Sequence, residues 1–166
     1  MLIPEPMFGF SFRKKLYKHM KLREGYKEEV YLDTLDKPTC GIGHLLTKEE
    51  QEKYKVGDVV DEKIINKWFE EDIEEALVAC NEQCVKLEVF DKDFKIALTS
   101  VNFQLGSKWY KKFPKTWKAL CEKRYDDAIA EITYKKPGEP EYSDWYKQTP
   151  VRVLDFSKAI EQIMEE

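Results

Sequence analysis

Two carboxylates and a hydroxyl lie close together in the N-terminal part of the chain, at Glu24, Asp33 and Thr39. Cleavage of a glycosidic bond needs one carboxylic acid to protonate the leaving oxygen and a second carboxylate to activate water or stabilise positive charge. A hydroxyl beside the second carboxylate could hold that water. Spacing alone does not decide the matter, because 36% of the residues are charged and a solvated helix end explains Glu24 equally well.

The elements that would position these groups are predicted from hydrophobic spacing and turn signals. Apolar residues recur every four positions from Phe12 to Met20, which predicts an amphipathic helix. This helix should end at Glu24, because Gly25 favours a left-handed cap. Two short β-like runs on either side of an Asp and a Pro predict a small hairpin, over residues 30–33 and 39–43.

The rest of the chain is predicted to be mostly helical. Asp61 is a suitable N-cap for a long helix, and Pro150 suits the first turn of the last one. Further helices are expected over residues 94–105, 116–123 and 126–133, with an exposed loop at 134–144.

We expect one α+β domain, mostly helical, over residues 1–166. A smaller β-containing lobe, about 25–72, is joined by the long helix to a larger all-helical lobe, about 73–166 together with 12–24.

Composition excludes several classes of function. The formal net charge of −4 gives no overall basic field to hold nucleic acid or an anionic membrane. Basic runs such as Arg13-Lys14-Lys15 are interpreted as solvated helix faces. The four cysteines show neither a CxxC pair nor a metal-ligand spacing, so reduced thiols acting as small hydrophobes are expected, without cofactor or metal. We expect a monomer.

The N-terminal stretch does not fit a secretory signal, because its basic residues follow the apolar ones. No run approaches the roughly 18 apolar residues of a membrane span, so stable membrane insertion is not expected. Synthesis in the cytoplasm is therefore expected, without a signal peptide, and an extracytoplasmic substrate would be reached only with outside help.

The segment around the two carboxylates closely resembles the catalytic segment of the T-even phage lysozymes, the family-24 glycoside hydrolases. That segment reads glutamate, aspartate nine positions on, and threonine six further, and both intervals are intact here. Other stretches agree in the same order. The matching residues are Arg23-Glu24-Gly25, Tyr31, Asp33-Thr34, Thr39, Gly41 to Thr47, Phe69 with Asp72, Phe103 to Gly106, and Trp145 to Pro150 with Arg152.

The resemblance implies a lysozyme-like fold and a role for each matched residue. Glu24 would be the general acid, while Asp33 and Thr39 would orient or activate the water for inversion at the anomeric carbon. Arg152 would pair with Glu24. His44 would pair with the carboxylate of the long helix, Asp72, in a structural role.

The implied substrate is bacterial peptidoglycan, cut between N-acetylmuramic acid and N-acetylglucosamine at the cell wall of a phage host. A holin is the expected route of export to the periplasm. Glycan-binding residues would be Gly43, Leu45, Phe103, Gln104 and Thr116. The chain departs from its relatives in a shorter stretch between His44 and Asp61, in the insertion at 134–144 and at Glu131, which leaves the preferred substrate open.

Two alternatives keep the same fold. A catalytically silent wall-binding module would be expected to have lost one of Glu24, Asp33 and Thr39. A lytic transglycosylase needs a single acid and leaves an anhydro sugar. Membrane disruption by the terminal helix is disfavoured by its acidic residues.

Overall fold

The computed structural model describes residues 10–165. The chain divides into two compact units, one ending at Glu74 and one beginning at Glu75, and the boundary falls within a long helix. The elements in chain order are α1 (Phe10–Glu24), β1 (Lys27–Leu32), β2 (Pro38–Gly41), β3 (His44–Leu45), α2 (Lys48–Lys53), α3 (Glu62–Leu87), α4 (Lys92–Leu105), α5 (Trp109–Lys112), α6 (Pro114–Cys121), α7 (Tyr125–Thr133), α8 (Asp144–Gln148) and α9 (Pro150–Met164).

Helix α1 forms as its apolar spacing predicts. It belongs to the first unit, whereas the sequence-based expectation placed residues 12–24 with the larger lobe. Phe12, Leu16 and Met20 form its buried stripe. The helix ends at Glu24, and Gly25 follows with φ +82°, a left-handed conformation that costs glycine nothing. The predicted end of this helix is therefore confirmed.

The predicted hairpin is the first part of a three-stranded antiparallel sheet in the order β1-β2-β3. Tyr31 pairs with Thr39, and Cys40 pairs with His44. Successive residues of a strand point to opposite faces, so Thr39 and Cys40 face opposite sides of the sheet. On the side of Cys40 lies the core of this unit, formed by Val30, Cys40, Leu46, Val60, Ile65 and Trp68.

The starts of α2 and α3 are fixed by side chains. The Asp61 carboxylate accepts a hydrogen bond from the Lys63 N–H at 2.9 Å, as its predicted capping role requires. Thr47 and Glu50 form a reciprocal capping box at the start of α2, a helix that hydrophobic spacing did not predict. Six residues without a buried side chain carry no periodic signal.

The second unit is helical, with one isolated β-bridge. Its core gathers apolar side chains from the end of α3 and from α4 to α9, with Trp109, Phe94 and Phe156 fully buried. The predicted loop at 134–144 is present and exposed, and the bridge between Tyr134 and Tyr142 closes it. Together with the small sheet, this confirms the mostly helical α+β prediction.

A buried amide pair fixes the end of α4 against α3. The side chains of Gln83 and Asn102 exchange two hydrogen bonds of 2.9 Å, and the Trp109 indole N–H donates to Gln83 at 3.0 Å. Buried polar groups are tolerated when they are bonded in this way. The pair therefore holds the segment that carries Phe103 and Gln104.

All four cysteines are free thiols, and Cys40, Cys80 and Cys84 are buried as expected. The expectation is wrong for Cys121, which is exposed. Within residues 10–165, no cluster of three or more acidic, His or Cys side chains is placed to bind a metal. No helix in that range has the length and apolar character needed to cross a membrane.

Candidate active site

Glu24 is the last residue of α1, and its side chain is half-buried against the turn between β2 and β3. The contact is made at Gly43, which has φ +65°. A methyl group built on Gly43 would lie 3.4 Å from Glu24 Oε2 and 3.7 Å from Glu24 Cβ. Glycine at this position therefore allows both the positive φ and the close approach of the backbone to the carboxyl group.

The same turn lies against α3 through Gly41, whose φ is +67°. A Cβ atom there would lie 2.7 Å from Ile65 Cγ2, which is closer than two carbon atoms can approach. The two glycines thus hold the turn between α3 on one side and Glu24 on the other. Both ends of the Gly41-Ile42-Gly43 run, which leads into β3, therefore favour glycine.

Asp33 closes the turn between β1 and β2. Its Oδ1 atom accepts hydrogen bonds from the backbone N–H groups of Leu35 at 2.8 Å and Lys37 at 2.9 Å. Aspartate commonly stabilises turns in this way. One carboxylate oxygen is therefore fixed by the backbone, while Oδ2 accepts no hydrogen bond from residues 10–165 and is available to water or substrate.

Thr39 is anchored to the same residue, Lys37. Its hydroxyl donates to the Lys37 carbonyl at 3.0 Å, and the side chain is only 3% exposed. Since the hydroxyl proton is used in that bond, the oxygen keeps its lone pairs for a water that donates to it. Lys37 therefore holds Asp33 through its N–H and Thr39 through its C=O.

Tyr31 lies on the Thr39 side of the sheet, paired directly with it. Burial raises the pKa of the Tyr31 hydroxyl, and the negative charge of Asp33 raises it further. The Lys27 ammonium lies 4.2 Å from the centre of the Tyr31 ring. The phenol is thus a neutral neighbour of the carboxylate and not a competing base.

The structure brings His44 and Asp72 together, with Nδ1 2.7 Å from the Asp72 carboxylate. It adds a partner that the sequence analysis missed, because Nε2 lies 2.8 Å from Glu50 Oε1. The imidazole also stacks on Trp68 at 4.5 Å between ring centres. The T-x-x-E pattern from Thr47 to Glu50 was the signal that could have located this carboxylate.

The charge state of His44 follows from its two carboxylate partners. Burial alone lowers the pKa of His44, but the hydrogen bonds and charges of Asp72 and Glu50 outweigh it, so the net shift is upward. The pKa of Glu50 is lowered despite its burial, because the Thr47 backbone N–H and His44 stabilise the ionised form. With both ring nitrogens facing carboxylates, the protonated form of His44 is favoured, and neither nitrogen is free to act as a base.

Leu45 and the predicted glycan-binding residues of the second unit have different environments. Leu45 is 51% exposed on β3, which excludes a core role for it. Phe103 is half-buried, whereas Thr116 is 1% exposed and lines a cavity of about 440 Å³.

The Gln104 amide is engaged inside the second unit. Its oxygen accepts from the Trp145 indole at 3.1 Å, and its nitrogen donates to the Thr149 hydroxyl at 3.2 Å. One N–H of the amide is left to donate to a ligand, and a role for Gln104 in substrate binding stays a prediction.

Arg152 is buried in the first turn of α9. Glu24 and Arg152 belong to different units, and their pairing stays a prediction.

The arrangement in the first unit suits acid-assisted attack by water. It offers a carboxyl group in a sterically defined position, a carboxylate with one free oxygen, and a hydroxyl oriented as an acceptor. Its histidine is bound in structural contacts with two carboxylates.

Comparison with known proteins shows which family this chain resembles. The profile of the phage lysozyme family matches residues 21–141. "Probable T4-type lysozyme 2" of Dictyostelium discoideum is 29% identical over 153 residues, covering 80% of this chain and 85% of that protein. "Peptidoglycan hydrolase gp36" of Pseudomonas phage phiKMV is 28% identical over 149 residues, covering 90% of this chain and 15% of that much longer protein. Since the family profile covers well over half of the sequence, the chain belongs to the phage lysozyme family.

Proposed function

We propose that this chain hydrolyses bacterial peptidoglycan as a muramidase. It cleaves the β-1,4 bond between N-acetylmuramic acid and N-acetylglucosamine. Glu24 protonates the leaving oxygen, and a water held by Asp33 and Thr39 attacks the anomeric carbon from the opposite face. Inversion of configuration follows from this division of roles.

The observation that carries the proposal is the shared anchor at Lys37. Asp33 and Thr39 are bonded to the N–H and the C=O of one residue, so their relative positions are set by a single turn. Gly43, in the turn that follows β2, lies directly against the Glu24 carboxyl group. One small sheet thus supports all three residues, and this pre-organisation is what positioned acid–base catalysis requires.

The substrate class is supported by the relatives. One is named as a probable T4-type lysozyme and another as a peptidoglycan hydrolase, and the second comes from a phage. We infer that the chain serves lysis of a phage host, that it is made in the host cytoplasm and that it acts on the wall after release, with a holin as the partner for export. We propose a monomer as the active form.

The test is a turbidity assay on outer-membrane-permeabilised bacteria with Glu24→Gln. The amide keeps the size of the side chain but cannot supply a proton, so lysis should slow by at least about a hundredfold. Glu29→Gln is the matched control, because Glu29 is an exposed glutamate five positions away on β1. That variant should lyse cells at the wild-type rate.

Lysis by Glu24→Gln at the wild-type rate would show that another group supplies the proton. Product analysis then separates the reaction types. Mass spectrometry should find reducing N-acetylmuramic acid ends, and NMR of fresh product should find the α-anomer. An anhydro sugar would instead identify a transglycosylase, and a β-anomer would identify a retaining enzyme.

A further inference from the structure

Helix α1 carries a strong excess of positive charge, whereas the rest of the chain is acidic. Helix α1 carries six of the 28 basic residues and one of the 32 acidic residues, so its net charge is +5 and that of the remaining chain is −9. The whole-chain value of −4 averages over these two parts and hides the basic segment. A membrane or polymer contacts one face of a protein and is sensitive to the local charge.

Five of the six basic residues of α1 divide into two groups, and the sixth, Arg23, is half-buried. Arg13 forms an ion pair of 3.2 Å with Glu70 on α3, and Lys21 lies 4.1 Å from the ring centre of Tyr26. Lys14, Lys15 and Lys18 are exposed and form no ion pair with any residue in the described range 10–165. These three lysines therefore keep their full charge toward solvent.

The three lysines share one face with an exposed leucine. At 100° per residue, positions 14, 15, 18 and 22 fall within an arc of about 100° and a length of about 12 Å. Leu22 is 71% exposed at the C-terminal end of this arc. The opposite face of α1 buries Phe12, Leu16 and Met20, and this packing keeps the three lysines on the solvent side of the helix. We call Lys14, Lys15, Lys18 and Leu22 the basic face of α1.

We propose that the basic face of α1 binds the surface of an anionic phospholipid bilayer. The lysines supply the charge complementarity, since polybasic segments are attracted to anionic headgroups. Leu22 favours a bilayer over a phosphate polymer. An exposed leucine side chain gains free energy of burial only where it can enter an apolar layer such as the acyl chains. The binding is peripheral, through charge and one apolar contact, and the helix stays packed in the first unit.

The test is co-sedimentation of the full chain with vesicles of phosphatidylcholine, with and without phosphatidylglycerol, at low and high salt. The wild type should sediment with the anionic vesicles alone, and less at high salt. Each lysine corresponds to about a fivefold change in partitioning, so combining Lys14→Gln, Lys15→Gln and Lys18→Gln should weaken it about a hundredfold.

A matched control removes three exposed lysines elsewhere, by Lys92→Gln, Lys111→Gln and Lys118→Gln. The net charge changes equally, but these residues lie on α4, α5 and α6 of the second unit. Partitioning should change by less than about twofold, because these lysines are not part of the basic face that the proposal places against the bilayer. An equal loss in both triple variants would overturn the proposal.

Leu22→Ala separates a bilayer from a polyanion. It should weaken vesicle binding several-fold and leave binding of inorganic polyphosphate unchanged. The proposal is refuted if polyphosphate binding depends on the lysines as strongly as vesicle binding does and Leu22→Ala leaves vesicle binding unchanged. That result would identify a general polyanion site. None of these outcomes depends on hydrolysis, and cleavage of lipid-free peptidoglycan should be equal in the wild type and in all these variants.

Discussion

Gly43→Ala tests the contact between the sheet and Glu24 more directly than removal of the acid does. The added methyl group would lie 3.4 Å from Glu24 Oε2 and 3.9 Å from Glu24 Cδ, at the tight limit of van der Waals contact, and we expect the carboxyl group to shift by up to a few tenths of an ångström. The backbone at φ +65° is also strained for any residue with a Cβ atom. The variant therefore has two separable effects, one on stability and one on the position of the acid.

The stability effect comes from the backbone alone. A left-handed conformation costs a non-glycine residue about 1–2 kcal/mol, and the stiffer unfolded chain returns about half of that. We expect a net loss of about 1 kcal/mol in the free energy of unfolding. Gly138→Ala is the matched control, because Gly138 has φ +91° and no atom within 4 Å of the new methyl group.

The catalytic effect comes from the contact alone. Displacement of a catalytic group by 1 Å costs on the order of a hundredfold in rate, so a few tenths of an ångström should reduce kcat about fourfold. Urea unfolding and initial rates on purified peptidoglycan measure the two effects. The two variants should lose about the same stability, and the reasoning is refuted if Gly43→Ala keeps the wild-type kcat as Gly138→Ala does.

Two further predictions concern buried polar groups. His44→Gln should cost about 2 kcal/mol near pH 5 and progressively less as the pH rises through the raised pKa of His44, because the protonated ring binds its carboxylate partners. Thermal unfolding across pH checks this, and a loss that grows with pH would contradict it. Gln83→Leu leaves the buried Asn102 amide and Trp109 N–H without their partner and should cost about 2–4 kcal/mol by urea unfolding. The additional variant Asn102→Leu should add little to that loss, and full additivity would argue against a coupled pair.

The sequence predicted the elements whose signal is repeated many times. Helices α1, α3, α4 and α9 each span 14 residues or more, so their apolar stripes recur over several turns. Strand β3 and helices α2, α5 and α8 span two to six residues and are held by contacts with the rest of their unit. Local periodicity carries no information about elements of that length.

The candidate site was predictable to the extent that its contacts are local. The turn that binds Asp33 and Thr39 lies within seven residues, and its Asp and Pro are residues typical of turns. Gln104 is the opposite case, because its amide is bonded to residues 41 and 45 positions further along the chain. A single sequence cannot distinguish an amide that faces a ligand from one that faces its own fold.

The anchor at Lys37 makes this position a place to attach a reporter. Both bonds to Asp33 and Thr39 come from its backbone, and its side chain is exposed. The side chain can therefore be replaced by any residue that keeps an N–H, with proline excluded. With the exposed Cys121 replaced by serine, a cysteine at this position could carry a fluorophore beside Asp33 and Thr39 without removing either anchor bond, and its emission would report occupancy of the site in real time.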